Sequence, residues 1–174
     1  QGVLERVGGS SEVVAAVGRA IAGARAAGLP VVYVRLLFRA GYPEVSPANP
    51  VFAAVRDRGR FTEADEGALF PPAIAPEPGD VVVTKKRVSA FSGSDLELVL
   101  RASGITTVVL AGVATSGVVL STLCEAADLD FGAVVLRDAC ADADDEVHRV
   151  LLDKVFPRRA SVRSVDEWVR ALHA

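Results

Sequence analysis

Short runs rich in β-branched residues alternate along this chain with stretches of helical period, and that alternation restricts it to an α/β fold built on a parallel sheet. The apolar runs are residues 31–36, 80–85, 107–112 and 133–137, with a weaker one at 160–164 that reads as nearer an edge. Near-continuous runs of this kind suit strands covered on both faces. Residues 11–27, 95–102, 116–128, 144–155 and 165–172 carry the helical spacing. Gly28 with Pro30 stops the first of these helices, Gly104 the second and Pro157 the fourth. Residues 39–79 hold most of the nine prolines and little periodicity. A stretch of that length reads as surface structure, a functional loop or lid, with one short helix over residues 51–57.

The chain's 174 residues suit one domain with a single sizeable core. No internal repeat or dividing linker interrupts them. Apolar residues make up 51% of the sequence, which excludes a disordered chain. Nineteen Lys and Arg against 22 Asp and Glu, 19 − 22, leave a net charge of −3, which argues against nucleic acid as a partner. Cys124 and Cys140 are too few for a disulfide framework, so a reducing, cytoplasmic setting is expected. The sequence contains no run of eighteen apolar residues and no signal-peptide pattern, so no membrane partner is expected. It opens on Gln1 and lacks methionine, from which we expect its natural start to have been removed.

Ligands of parallel sheets sit beyond the carboxyl ends of the strands, so the segments after Arg35, Lys85, Gly112 and Asp138 matter most. The stretch Gly112-Val113-Ala114-Thr115-Ser116-Gly117-Val118 passes from strand to helix. Thr115 or Ser116 is expected to cap that helix, leaving the amides of Gly117 and Val118 to hold an oxyanion or carboxylate. The same stretch also reads as a plain capped turn. Lys85 ends a buried strand, where a lysine either steadies a substrate anion or reaches past the strand end to solvent. Alternation sets Lys85 and Arg87 on one face and Lys86 on the other. Arg35, Arg39 and Arg87 are candidates to grip an anionic substrate, and Phe38, Tyr42 and Phe91 to wall a small pocket. Each also reads as a surface charge or a core aromatic. Asp138 is expected to bond backbone at its strand end.

Three motifs run in order along the chain: Lys85-Lys86-Arg87-Val88-Ser89-Ala90-Phe91 with Ser94-Asp95-Leu96 and Leu100; Leu110-Ala111-Gly112-Val113-Ala114-Thr115 with Ser121-Thr122 and Ala126; and Arg137-Asp138-Ala139-Cys140-Ala141-Asp142. Together they resemble the isochorismatase-like hydrolases, the cysteine hydrolase superfamily, over nearly the whole chain. The resemblance implies a doubly wound, mostly parallel, Rossmann-like sheet and a triad of aspartate, lysine and cysteine. The lysine corresponds to Lys85 and the cysteine to Val118. The aspartate belongs to a D-x-Q stretch ending the first, central strand. Gln1-Gly2-Val3-Leu4 resembles the segment just after that strand, so strand and aspartate are expected upstream of Gln1.

Valine has no nucleophile, so acyl-enzyme chemistry at position 118 is excluded. Cys124 lies six positions further, about 240° around the helix from Val118, and reads as a packed small apolar residue. Cys140 also reads as structural. No metal or other cofactor is expected: His148 and His173 are the only histidines, and residues 35–41 lack the metal-binding aspartate and histidines of the family's nicotinamidases. His148 reads as packing or capping within its own helix.

These readings lead to a hydrolase of a small, anionic metabolite that works without a cysteine. Its implied chemistry is vinyl-ether or related hydrolysis by the upstream aspartate with Lys85. Arg35, Arg87, Phe91, Thr115, Ser116, Gly117 and Val118 would surround the substrate. The alternative is an inactive small-molecule-binding or oligomeric scaffold of the same fold. The resemblance implies a homodimer or homotetramer.

Overall fold

A computed structural model describes residues 11–173. Helix α1 (Ser11–Ala26) leads to strand β1 (Val32–Leu36), then helix α2 (Pro50–Asp57), strand β2 (Val81–Lys85) and helix α3 (Leu96–Ala102). Strand β3 (Thr107–Val113) enters a π-helical turn (Thr115–Val119) that continues as α4 (Leu120–Asp128). Strand β4 (Gly132–Ala141) is followed by α5 (Asp145–Val150), a second π-helical turn (Leu151–Val155) and a 3-10 turn (Phe156–Arg158). Strand β5 (Ser161–Arg163) and helix α6 (Val165–Ala171) complete the order.

Among the described residues all strand pairs are parallel. β1 pairs with β2 from Val32↔Val81 to Leu36↔Lys85, while β3, β4 and β5 form a second group in that order. Helices cover both faces of the second group, as a doubly wound sheet requires. On one face Ala16, Ala20 and Ala24 of α1 and Trp168 of α6 pack on Leu136 and Ala139. On the other, Leu123, Leu151, Leu152 and Phe156 pack on Val135 and Cys140. A third cluster carries Val83, Leu96, Leu100 and Ala126 against half-buried Val32, Val34 and Val108, and so ties β1 and β2 to the rest.

The elements follow the sequence pattern closely, with four differences. Val81 and Val82 are exposed, because among the described residues β2 pairs only with β1 and forms an edge rather than a strand covered on both faces. The helical stretch 116–128 opens as a π-turn, in which the amides of Gly117 and Val119 both donate to the Ala114 carbonyl, at 3.1 and 3.3 Å. The stretch 144–155 widens into its own π-turn after Val150. Strand β4 runs past the apolar run at 133–137 because of a bulge: Leu110 faces Val135 but Gly112 faces Cys140, so β4 advances five residues while β3 advances two.

Residues 39–79 are folded rather than featureless. Asn49 caps α2 by accepting from the Phe52 amide, and Pro50 fills the first helical position. Phe38, Val45 and Phe52 make a small core beneath this segment. The expected central strand and its aspartate, and the segment Gln1-Gly2-Val3-Leu4, lie outside the described residues.

Gly23 marks the closest approach of α1 to α6. A Cβ there would sit 2.6 Å from Val169 Cγ2, and valine is stiff about χ1. Gly23→Ala gains helix propensity but clashes, so we expect a net loss of about 1–2 kcal/mol in urea denaturation. Adding Val169→Ala removes the clash, and the pair should be markedly non-additive; additive losses would contradict the packing.

Candidate functional site

Two segments at the carboxyl ends of the strands carry the site candidates, and α4 joins them. The first follows β2. Lys85 is only 8% exposed, and its Nζ donates to the carbonyls of Arg87 (2.6 Å) and Val88 (2.9 Å). It therefore does not reach solvent. Burial pushes its ammonium down from 10.5 to about 8.

Its neighbours turn elsewhere: β2 ends at Lys85, so strand alternation does not carry Arg87 to the face of Lys85. Lys86 donates to the Leu37 carbonyl, lies 3.6 Å from Glu44 and stands over the Phe38 ring. Arg87 donates to the carbonyls of Lys86 (2.7 Å) and Glu44 (3.0 Å) and stacks over Phe52. These bonds fasten the 39–79 segment to the end of β2. The loop after Lys85 is in turn held to α4: the Ala90 amide donates to Thr122 Oγ1 (2.9 Å), and Ser92 donates to Glu125 (3.0 Å).

The second segment follows β3. Gly112 has φ +128, a conformation that side chains disfavour, and the Val113–Ala114 peptide is cis. Neither Thr115 nor Ser116 caps the helix. Ala114 holds the N-cap position with no side-chain cap, because Thr115 and Ser116 are engaged across the chain. Thr115 is fully buried, and its Oγ1 lies 2.8 Å from Nδ1 of His148. The Ser116 amide donates to Asp142 Oδ2 at 2.6 Å. The Gly117 amide is spent on Ala114, so it does not point free into a crevice. Val118 is half-buried and packs at the margin of the cluster around Leu151 and Phe156.

His148 and Asp142 thus hold the turn of the candidate site, contacts that sequence reasoning missed. His148 bonds Thr115 rather than staying within its own helix. Its place, one helix beyond the third motif, carried no signal; Asp142 closed that motif, and its acidic type beside a turn was the available hint. Burial disfavours the Asp142 charge, but the amides of Ser116, Ala143 and Asp144 outweigh it and hold the carboxyl below the ordinary aspartate value.

The other candidates stand apart. Arg35 donates to Thr84 at 3.3 Å, Arg39 pairs with Glu44 on the surface, and Phe91 stacks on Phe131 in the core. Phe38 and Tyr42 belong to the core of the 39–79 segment, with the Tyr42 hydroxyl donating to the Arg60 carbonyl. Asp138 accepts from the Val165 amide at 2.8 Å, so it does bond backbone, but at the start of α6. Arg35, Arg87 and Phe91 therefore rest on three different sets of partners. Both cysteines are free. Cys140 is buried, and burial raises its thiol to about 12, while Cys124 is half-exposed on α4. No group of three His, Cys, Asp or Glu suited to a metal occurs among the described residues, and no helix there is long and apolar enough to cross a membrane.

This geometry has known counterparts. The isochorismatase domain family matches residues 1–167. The "Uncharacterized isochorismatase family protein YecD" of Escherichia coli O157:H7 is 37% identical over 99% of this chain and 91% of its own length. The ureidoacrylate amidohydrolase RutB of Methylobacterium radiotolerans is 36% identical over 88% of this chain, which spans 66% of that relative. Among solved structures, an isochorismatase family protein from Burkholderia thailandensis superposes with a TM-score of 0.82 at 32% identity, covering 94% of this chain and 84% of that one.

Two measurements test the clamps on the turn. His148→Ala leaves the Thr115 hydroxyl buried without this partner and should destabilise by about 1–3 kcal/mol; combining it with Thr115→Val should recover part of the loss. Asp142 has a depressed folded pKa, so its stabilisation is full above its unfolded value near 3.9 and is lost as pH falls through the lower folded one. The stability gap between the wild type and Asp142→Asn should therefore be constant near neutrality and close on acidification. A gap independent of pH would show that the carboxylate charge does not hold the turn.

Proposed function

Since the chain belongs to the isochorismatase family, we propose that it is a hydrolase of a small anionic metabolite whose reaction bypasses a cysteine nucleophile. The observation that supports this reading is the placement of the two thiols relative to the turn after β3: one is buried and the other lies further along α4. Val118 stands at the position that the resemblance assigns to cysteine. Cys140 is sealed beneath the turn, with its thiol held protonated up to about pH 12, and a thiol in that state does not attack. Cys124 sits six residues further along, at a half-exposed place on α4.

The chemistry that remains is proton-driven. In a vinyl ether, a proton added to the terminal carbon of the C=C bond makes the carbon that bears the ether oxygen an oxocarbenium centre. Water adds there, and the hemiketal loses the alcohol to leave a carbonyl. No covalent enzyme intermediate is required, only a proton donor and a fixed cation. We assign the donor to the aspartate expected N-terminal to Gln1. Lys85 steadies the anionic substrate, and its position at the carboxyl end of β2 supports that role. Amide or ureido hydrolysis, suggested by the name of the RutB relatives, ordinarily calls for a nucleophile that position 118 does not supply.

The double variant Cys124→Ala/Cys140→Ala tests this directly. Assayed against a panel of small carboxylic acids containing vinyl ethers, amides and ureido groups, it should keep the wild-type kcat/KM. A loss of more than about tenfold at unchanged stability would overturn the cysteine-free reading. Binding of a panel member without turnover by the wild type would instead support a ligand-binding module.

Lys85 supplies an independent pH signature. Only its charged form holds an anion, so kcat/KM should fall as pH rises through about 8, and Lys85→Arg should carry that limb upward. Stability runs the other way. The folded pKa lies below the unfolded 10.5, so the burial penalty is full below about 8 and is relieved as pH rises from about 8 to 10.5. Opposite slopes of activity and stability across that window are the expected result; Lys85→Met should abolish both.

A further inference from the structure

Four polar or charged side chains are buried among the described residues: Lys85, Ser89, Thr115 and Thr122. All four belong to the two segments of the candidate site or to the helix that joins them. Burying a polar group is costly unless it is bonded, so each of the four calls for a partner. Lys85 is held by the carbonyls of Arg87 and Val88, and Thr115 by His148. Ser89 accepts from the Phe91 amide at 3.2 Å within its own loop. Thr122 is 4% exposed on α4, beside apolar Leu123 and Ala126, and its hydroxyl accepts from the Ala90 amide thirty-two residues away.

That bond closes the loop that carries the two oxygens. Among the described residues no backbone bond holds the amides of Arg87, Val88 or Ser89, so this stretch is fixed mainly at its ends. At one end Lys86 bonds the Leu37 carbonyl. At the other, buried Ala90 is bonded to Thr122, and Ser92 donates to Glu125 one turn further along α4. The charged neighbours of Lys85 face other partners: Lys86 and Arg87 turn to Glu44, and Glu125 accepts from Ser92. The ammonium thus depends on where the two carbonyls stand. Taking Lys85 as the cation that steadies the substrate, we propose that Thr122 is a positioning residue for it: through the Ala90 amide it sets the carbonyls of Arg87 and Val88 against the ammonium, so the helix after the β3 turn places the cation after β2. An aliphatic side chain of the same shape would leave the buried Ala90 amide without this partner and free the loop to open. An open loop admits water to the ammonium, relieves the burial that depresses its pKa and returns it toward 10.5.

Thr122→Val removes the hydroxyl at nearly constant shape, and Thr122→Ser keeps it. In the folded protein, NMR titration of the Lys85 side chain, identified by the signal lost in Lys85→Arg, should give a midpoint of about 8 for the wild type and for Thr122→Ser. For Thr122→Val the midpoint should rise by about one pH unit, and the alkaline limb of kcat/KM should rise with it. A loss of global stability alone leaves the ionisation of a lysine in the folded state where it was, so the midpoint separates positioning from structural support. Where Thr122→Val does not fold, Ser92→Ala cuts the outer tie instead and should move the midpoint the same way by a smaller amount. A midpoint unchanged in the folded variant, or a rise in Thr122→Ser equal to that in Thr122→Val, would overturn the proposal. The titration needs no substrate, so failure here is distinct from failure of the proposed activity.

Discussion

The bulge in β4 is the constraint on which most of this molecule depends. Strand β4 meets helices on both faces, and its alternation would ordinarily send each residue to a fixed side. Three surplus residues between the Val135 and Cys140 pairings shift that alternation. Ala139 then shares a face with Leu136, and Cys140 shares one with Val135, so both apolar layers extend past the irregularity. The same shift frees Asp138 from the ladder to hold the start of α6, and carries the chain to Asp142 beside the turn after β3. Core and candidate site are thus set by one local departure from regular pairing, the use to which bulges near sites are often put.

From that bulge the arrangement of the turn follows. Thr115 is pinned by a histidine one helix away, and Ser116 by an aspartate at the end of β4. The turn is therefore held from outside by two polar side chains and from within by the Ala114 carbonyl, which accepts two amides. That crowding explains the π-helical opening. The first amides have other partners, and the regular ladder begins only at Leu120. Openings of this kind recur at functional sites, in keeping with the role proposed for this one.

Much of the architecture was legible in the sequence because it rests on local pattern. The five strands, the helices that separate them and the short helix at residues 50–57 lie within a few residues of the expected limits, since β-branched runs, Gly and Pro stops and the Asn49–Pro50 start act over short range. Long-range geometry was not legible. Nothing in the spacing of Thr115 and His148, thirty-three residues apart, announces a hydrogen bond, and the expected caps failed because tertiary partners claimed both side chains. Lys85 was ambiguous for a related reason: whether a strand-end lysine is buried depends on the path of the following loop, which is set by Thr122 and Glu125 of a distant helix. The grouping of Arg35, Arg87 and Phe91 relied on sheet-edge position alone, and each found a separate partner.

The way Lys85 is tethered bears on how this protein can diverge. Its ammonium is held by main-chain oxygens of residues 87 and 88, not by side chains. Any residue at those two positions presents the same carbonyl. Substitutions there can reshape the rim of the site, altering its charge or size, while the cation stays anchored. A change in the length of that loop would move the oxygens themselves. Variation in chemical preference should thus accumulate by replacement in this loop, and insertion or deletion should be the rarer event.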